Sequence, residues 1–285
     1  MMTRTRGRVA RALLALAALL VAAVPAPAQR DAAVLLRIGP PVGDTLRMRY
    51  EQDVSLTARS NGGESDSTVT MHSALLLLSH VLVQGRDETG TTITAVTDSV
   101  AVRTEGSAPL PETARRAMQG QRVQLHIAPD GAASVLAAPP AFGADVEAVV
   151  SGMPATLPRR PVRVGETWEA LMRIPLGAHM TGPGARLHAV YRLDSLSVDG
   201  GLAYLSMHGT ITREAISAPQ RTGVRVATTG SVVARIRVDR RRGWWTDSEA
   251  IIVLRSAVTP VAGGLGRPME VETRITQRMR STGTP

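Results

Sequence analysis

The sequence predicts a mainly β protein whose long antiparallel strands form one strongly curled sheet, a half-barrel or a deep sandwich, with one or two short helices. Three observations support this fold class. Apolar and polar side chains alternate with a period of two over fourteen or more residues, as in strands with one buried face. Glycine-rich turns between these stretches favour antiparallel hairpins. Several stretches exceed ten residues, and strands of that length twist and coil strongly.

The first 28 residues have the composition of a secretory signal peptide. Residues 1–11 carry four arginines and no acid, and thirteen consecutive apolar residues follow at 12–24. Small residues then place the expected cleavage between Ala28 and Gln29. We therefore expect export to the periplasm or the extracellular space. The alternative is a retained N-terminal anchor helix, although thirteen apolar residues are too few to span a bilayer stably.

The chain has no cysteine, which bears on lipid attachment and on disulfide bonds. A bacterial lipoprotein carries its acyl chains on a cysteine directly after the cleavage site, so no lipid anchor is expected. Disulfides are excluded, and the fold must depend on its core. No later stretch approaches eighteen consecutive apolar residues, so we expect no membrane-spanning helix after signal removal. A membrane β-barrel is disfavoured, because such barrels carry girdles of aromatic residues at both membrane interfaces. This sequence has only seven aromatic residues.

The basic residues are all arginine and lie along the whole chain, which has a formal net charge of +9. Nucleic-acid binding would require arginines clustered with stacking aromatic residues, but aromatics make up only 2% of the sequence. Because lysine is absent, Schiff-base cofactors and the P-loop lysine are excluded. We expect no cofactor and no nucleic-acid partner.

Residues 29–138 form the predicted N-terminal β half. Its clearest strand runs from Leu46 to Arg59, where even positions are mostly apolar and odd positions mostly polar. Residues Leu75–Leu78 are apolar on both faces, so we expect their strand to be central and covered on both sides. Other strands are predicted at 67–83, 91–103 and 121–128.

Two segments depart from the β pattern. Residues 111–120 contain helix formers with an early acid and a closing glycine. Residues 139–158 form a predicted helical connector, because apolar residues recur at helical spacing. We expect the two segments to act as a cap or crossover between the sets of strands.

Residues 159–285 form the predicted C-terminal β half, which we expect to pack with the N-terminal half as one unit. Strands are predicted at 187–198, 202–216, 224–239, 244–256 and 269–280. The segment Val164–Thr167 resembles Val42–Thr45, and each opens a strand. This similarity allows an internal duplication, or only the general likeness of two antiparallel β halves.

One motif resembles a known group of proteins. The segment Pro161–Trp168 reads Pro-Val-Arg-Val-Gly-Glu-Thr-Trp. It resembles a signature of uncharacterised exported bacterial β-rich proteins, in which Pro-Val-x-Val-Gly-acid-Thr/Ser-Trp starts the second half. The resemblance implies an exported location and a β architecture, and it implies no activity.

The usual catalytic motifs are absent. There is no Gly-x-Ser-x-Gly elbow and no His-Glu-x-x-His pair. The six histidines have no metal-chelating spacing within one element, so no metal site is predicted. A glycosidase-like pair of carboxylates could come from Glu166, Asp194, Asp247 and Glu249, but solvated surface charges are the simpler interpretation.

The most conspicuous local cluster is Arg240–Trp245, which reads Arg-Arg-Arg-Gly-Trp-Trp. As a site, it could hold an anionic group against an indole face. As structure, it is a basic hairpin turn with a positive φ at its glycine and two tryptophans on opposite faces of the sheet. The candidate ligand-binding residues are Trp168, Arg242, Trp244 and Trp245.

Three functions fit these features. The first is a non-catalytic binding or carrier module for a hydrophobic or envelope-derived ligand, received on the concave face of the sheet. The second is a structural or assembly protein of the envelope that meets other envelope proteins through its edges and basic faces. The third is a hydrolase acting on glycans, which would need a pocket with two facing carboxylates.

Overall fold

The computed structural model describes residues 32–60, 67–105, 112–139, 157–174, 185–217, 224–260 and 267–283. Strands account for 72% of these residues, which confirms the mainly β class. The predicted signal peptide at 1–28 and nearly all of the predicted connector at 139–158 lie outside the described residues. No helix within the described part of the chain has the length and apolar character needed to cross a membrane.

Eleven strands and one helix follow one another along the described residues. In chain order they are β1 (Thr45–Ser60), β2 (Ser67–Arg86), β3 (Thr91–Thr104), α1 (Glu112–Met118), β4 (Arg122–Ile127), β5 (Ala133–Ala137), β6 (Thr167–Ile174), β7 (Ala185–Leu196), β8 (Leu202–Ser217), β9 (Val224–Asp239), β10 (Trp244–Pro260) and β11 (Met269–Gly283). The long strands and the helix at 112–118 agree with the sequence predictions. Strand β5 was not predicted, because its five residues show too little alternation.

All eleven strands belong to one antiparallel sheet with the order β5-β4-β3-β2-β1-β11-β10-β9-β8-β7-β6. The strands of the N-terminal half lie on one side, and those of the C-terminal half lie on the other. They meet at the long ladder between β1 and β11, which runs from the Leu46–Gly283 pair to the Ser60–Met269 pair. One continuous sheet results, and a likeness between the two halves stays a prediction.

The prediction of a strongly curled sheet is wrong. The sheet is open and not strongly curled, and its edge strands β5 and β6 do not pair with each other among the described residues. The prediction of curling came from the tendency of long strands to coil. In the structure the long strands lie side by side in the middle of an open sheet. The two edges are short strands of five and eight residues, which limits the exposed row of unpaired backbone groups.

The main core lies at one end of the strands, called here the core end. There a segment at residues 34–39, outside any strand, joins distant parts of the sheet. Val34 and Val162 exchange backbone hydrogen bonds of 2.8 and 2.9 Å, and the Gly39 N–H donates to the Gly243 carbonyl over 2.9 Å. Leu36 is only 1% exposed within this core. The segment therefore closes the core end of the sheet.

Strand β2 lies inside the sheet, as its continuous apolar run predicts. However, Leu75–Leu78 are only half-buried, so the structure does not show the full cover expected on both faces. The apolar cover is concentrated at the core end of this strand, where Val81 and Val83 are 1% and 4% exposed.

Candidate functional site

The register of the strands defines one apolar face across the sheet. Val54 of β1 lies opposite Ser73 of β2 and opposite Ile275 of β11, and Ile275 lies opposite Ile252 of β10. Directly paired residues of antiparallel strands share a face. The alternating apolar positions of neighbouring strands therefore form one continuous surface, called here the inner face.

The inner face is buried near the core end and on the C-terminal side of the sheet. Tyr191, Met207 and Val232 are between 1% and 3% exposed. Gly209 allows close packing there, because a Cβ at this position would lie 2.7 Å from the His188 carbonyl oxygen and 2.8 Å from Leu187 Cδ1. This buried part of the inner face stabilises the fold.

The opposite end of the inner face is apolar, and the described residues leave it uncovered. Val69, Met71 and Met269 are 56%, 43% and 36% exposed, although all three lie on the apolar side of their strands. Half-buried apolar neighbours continue the surface across β1 and β11. We call this surface the distal patch, and its residues are Val54, Leu56, Val69, Met71, Met269 and Val271.

The outer face carries charged side chains that the inner face largely lacks. A row of alternating charge crosses four strands where Glu51 pairs in register with Arg278, Arg278 with Glu249, and Glu249 with Arg235. The Arg278 and Glu249 side chains form an ion pair of 3.0 Å. The Arg49 guanidinium donates a hydrogen bond to Glu51, which holds the pKa of that carboxyl below its usual range. The outer face is therefore suited to water.

The two predicted indoles of the Arg-rich turn lie in the core. Trp244 and Trp245 are 1% and 5% exposed, and their ring centroids lie 5.0 Å apart in an edge-to-face arrangement. The expectation that they face away from each other is wrong. The register of β10 shifts only after both indoles, between Trp245 and Asp247. Their burial favours a packing role.

The turn itself has the predicted form. Gly243 has a φ of 65°, and residues 240–243 join β9 to β10. Asp239 accepts backbone hydrogen bonds of 2.9 Å from Arg241 and Arg242, and the Arg240 guanidinium donates to the Gly200 carbonyl over 2.6 Å. These contacts fix two neighbouring hairpins against each other.

The third predicted tryptophan lies across the sheet on β6. Trp168 is half-buried and stacks on Tyr191 of β7, with ring centroids 5.6 Å apart and planes 7° from parallel. The predicted set Trp168, Arg242, Trp244 and Trp245 thus divides between a half-buried edge and a buried turn. A ligand-binding role for these four residues stays a prediction.

Three of the candidate carboxylates meet in one shallow depression of about 250 Å³ on the outer face. Asp194, Asp247 and Glu249 line it together with arginine side chains. Each carboxylate already has a polar partner: the Ser206 hydroxyl donates to Asp194 over 3.0 Å, and Arg237 lies 3.4 Å from Asp247. The depression is therefore an ion-paired surface.

Glu166, the fourth carboxylate, lies apart from the others at the start of β6. The Arg160 guanidinium donates to it over 2.9 Å and holds its pKa below its usual range. A general acid needs a raised pKa, so this environment favours a structural role.

The described histidines do not gather into a metal site. His80 contacts Asp98 at 2.6 Å, and His188 contacts Glu169 at 3.0 Å, both on the exposed surface. Within the described ranges, no group of three potential ligands is close enough to hold a metal ion. His179 lies outside the described residues.

Sequence reasoning missed the distal patch as a site. The alternation of β1 and β11 marks its residues as one apolar face, but nothing in the sequence shows which part of that face stays uncovered. Only the strand register brings Met71 of β2 and Met269 of β11 to the same end of the sheet.

Comparison with known proteins adds little. No known protein family and no curated protein matches the sequence. Similar solved structures include lipovitellin, studied for its lipid–protein interactions, at 12% identity and a TM-score of 0.47 over 86% of this chain. The chain spans 26% of the lipovitellin chain.

Two bacterial structures are also similar at a low level. The outer membrane protein OprG from Pseudomonas aeruginosa has 6% identity and a TM-score of 0.26, covering 86% of this chain and 98% of its own. An outer membrane channel from Pseudomonas putida F1 has 13% identity and a TM-score of 0.22, covering 90% of this chain and all of its own. Identities and scores of this size transfer no activity.

Proposed function

We propose that this protein is an exported, non-catalytic module that binds a hydrophobic, lipid-like ligand on the distal patch. One observation carries the proposal: the inner face is packed at the core end, while the described part of the chain leaves the same apolar face uncovered at the distal end. Val69 and Met71 are about half exposed there, although their strand alternates as a buried one does.

The energetics favour an occupant for such a surface. Removing apolar area from water contributes roughly 25 cal/mol per Å², and a contiguous exposed apolar surface on a protein marks an interaction site. Met71 and Met269 add adaptability, since the unbranched thioether chain fits ligands of irregular shape. The charged outer face keeps the opposite side of the sheet in water.

A neutral apolar dye tests this function. N-phenyl-1-naphthylamine fluoresces strongly in apolar surroundings, and we expect it to bind the mature protein. The variant Met71→Gln should weaken binding several-fold, because it places an amide in the apolar contact. The matched control is Leu82→Gln, which changes a residue of similar exposure on the outer face of the same strand.

The result that supports the proposal is weaker dye binding in Met71→Gln with unchanged binding in Leu82→Gln. Absence of dye binding to the folded protein would contradict the proposal. Equal loss in both variants would also contradict it, since a single face could not then be responsible. Circular dichroism of each variant confirms the β fold before titration.

A further inference from the structure

The inner face carries one buried charged residue among the strand residues that the structure describes and pairs. Arg213 lies on β8 in the alternating series that also contains Met207 and Ile211, and it pairs in register with Thr228 of β9. Arg213 is only 8% exposed. A guanidinium is thus held out of water on an otherwise apolar surface.

Two hydroxyl side chains continue from this arginine along the same row of the sheet. Thr228 is 7% exposed, and its Oγ1 lies 2.8 Å from the Oγ of Ser256 on β10. The register pairs Arg213 with Thr228 and Thr228 with Ser256. We call these three residues the polar end of the row.

The remainder of the row is apolar and crosses the distal patch. Ser256 pairs with Val271 of β11, Val271 with Ala58 of β1, and Ala58 with Val69 of β2. Five strand spacings of about 4.8 Å separate Arg213 from Val69, or about 24 Å along the sheet. The row therefore has a charged end and a long apolar end.

The chemistry of the polar end selects an anion. A buried guanidinium is costly unless it is paired, and its planar set of N–H donors matches a carboxylate or a phosphate. Hydroxyls beside it supply further donors. Arg213 already engages another group in the structure, which an incoming anion would join or replace.

We infer that the ligand of the distal patch is a long-chain amphiphile with one anionic head group, a carboxylate or a phosphate, which Arg213, Thr228 and Ser256 receive. Its chain lies over Val271, Ala58 and Val69. This inference rests on the proposed function, because it names the class of ligand for that surface. Electrostatic attraction in the dry polar end fixes the orientation, and apolar burial supplies most of the affinity.

Competition against the neutral dye tests the inference with three probes: palmitate, hexadecanol and inorganic phosphate. In the unchanged protein, palmitate should displace the dye at about tenfold lower concentration than hexadecanol, because only palmitate gains charge-assisted hydrogen bonds. Inorganic phosphate should not displace it. This comparison needs no variant, so it holds even if a substitution at Arg213 prevents folding.

The variant Arg213→Gln should weaken palmitate binding about tenfold and leave hexadecanol binding nearly unchanged. Arg213→Lys, which keeps the charge, should retain part of the preference for palmitate. The control is Arg235→Gln, an exposed arginine of the outer face, which should alter neither affinity.

Several results would overturn the inference. Equal displacement by palmitate and hexadecanol would show that no anion is selected, while the proposed apolar binding would stand. Displacement by inorganic phosphate as effective as that by palmitate would show a site for a free anion only. Failure of the dye to bind at all would remove the proposed function and this inference together.

Discussion

Single residues of the inner face already show how the sheet combines polar groups with apolar packing. Tyr50 lies on β1 among apolar neighbours, and its hydroxyl donates a hydrogen bond of 2.8 Å to the Gln52 side chain. Burial raises the pKa of Tyr50 to about 12. The folded protein thus holds this phenol neutral at pH values where a free tyrosine would ionise.

Stability should therefore fall in alkaline solution. The raised pKa means that the folded state keeps the proton while the unfolded chain loses it, so the contribution is complete below pH 10 and declines as the pH rises towards 12. A rise in pKa from 10.0 to about 12 corresponds to roughly 3 kcal/mol of unfolding free energy. Urea unfolding followed by tryptophan fluorescence from pH 8 to 11.5 measures it.

The variant Tyr50→Phe provides the matching control, since it cannot ionise. Its unfolding free energy should depend less on pH above 10 than that of the unchanged protein. The same pH slope in both proteins would contradict the assignment to Tyr50.

Gly209 illustrates a position where only hydrogen fits. A Cβ there would come within 2.7 Å of the His188 carbonyl oxygen, which belongs to the paired strand and cannot move freely. We expect Gly209→Ala to lower the unfolding free energy by about 2 kcal/mol, as overpacking does elsewhere. Thermal or urea unfolding measures the loss.

A second glycine in a strand serves as the control for that substitution. Gly85 on β2 has open space where its Cβ would be, and its φ is not positive. Gly85→Ala should therefore change stability by less than about 0.5 kcal/mol. Equal losses in the two variants would show that the general cost of a side chain, not the contact with β7, is responsible.

At the scale of elements, the segment at residues 34–39 organises the core end although it forms no strand. Its backbone bonds to Val162, Pro129 and Gly243 connect the starts and turns of strands that are far apart in the sheet order. The sequence did not reveal this role, because a short run of mostly apolar residues that includes Arg37 resembles any short strand. The contacts depend on the folded arrangement of three distant turns.

Shortening a buried side chain of this segment should destabilise the whole fold. Leu36→Ala removes a side chain that is 1% exposed in the core, and we expect a loss of about 3 kcal/mol in unfolding free energy. The control Val42→Ala changes a residue that is 57% exposed and should have little effect. A loss below about 0.5 kcal/mol in Leu36→Ala would contradict the closing role of the segment.

The predictability of the elements follows from their length. Strands such as β1, β9 and β11 repeat their alternation often enough for the period of two to be unmistakable, and their observed bounds agree with the prediction. The same local pattern carries no information about how strands assemble. The sheet therefore proved open where coiling arguments predicted a half-barrel, because curvature depends on the pairing of distant edges.

At the scale of the whole molecule, one sheet separates two environments. A row of arginine–carboxylate pairs crosses the outer face, while the inner face changes from a closed core at one end to an apolar surface at the other. The sequence predicted a hydrophobic ligand on a concave face, with Trp168, Arg242, Trp244 and Trp245 as the candidate ligand-binding residues. Trp244 and Trp245 are core residues. A conspicuous group of residue types in a sequence does not distinguish a packing role from a binding role.

The distal patch and the polar end of its row could not be predicted, for a specific reason. Arg213, Thr228 and Ser256 are separated by fifteen or more residues between neighbours in the chain, and only the register of β8, β9 and β10 aligns them. An isolated arginine at the end of an apolar strand is indistinguishable from a solvated one until its burial is known.

The most direct test of the central claim is where an apolar ligand touches the protein. In protein labelled with ¹³C at the methionine methyl groups, N-phenyl-1-naphthylamine should shift the resonances of Met71 and Met269 through its aromatic ring currents. Met118 of α1 should not shift, because it lies outside the distal patch. Binding of the dye without any change at Met71 and Met269 would contradict the claim that this face receives the ligand.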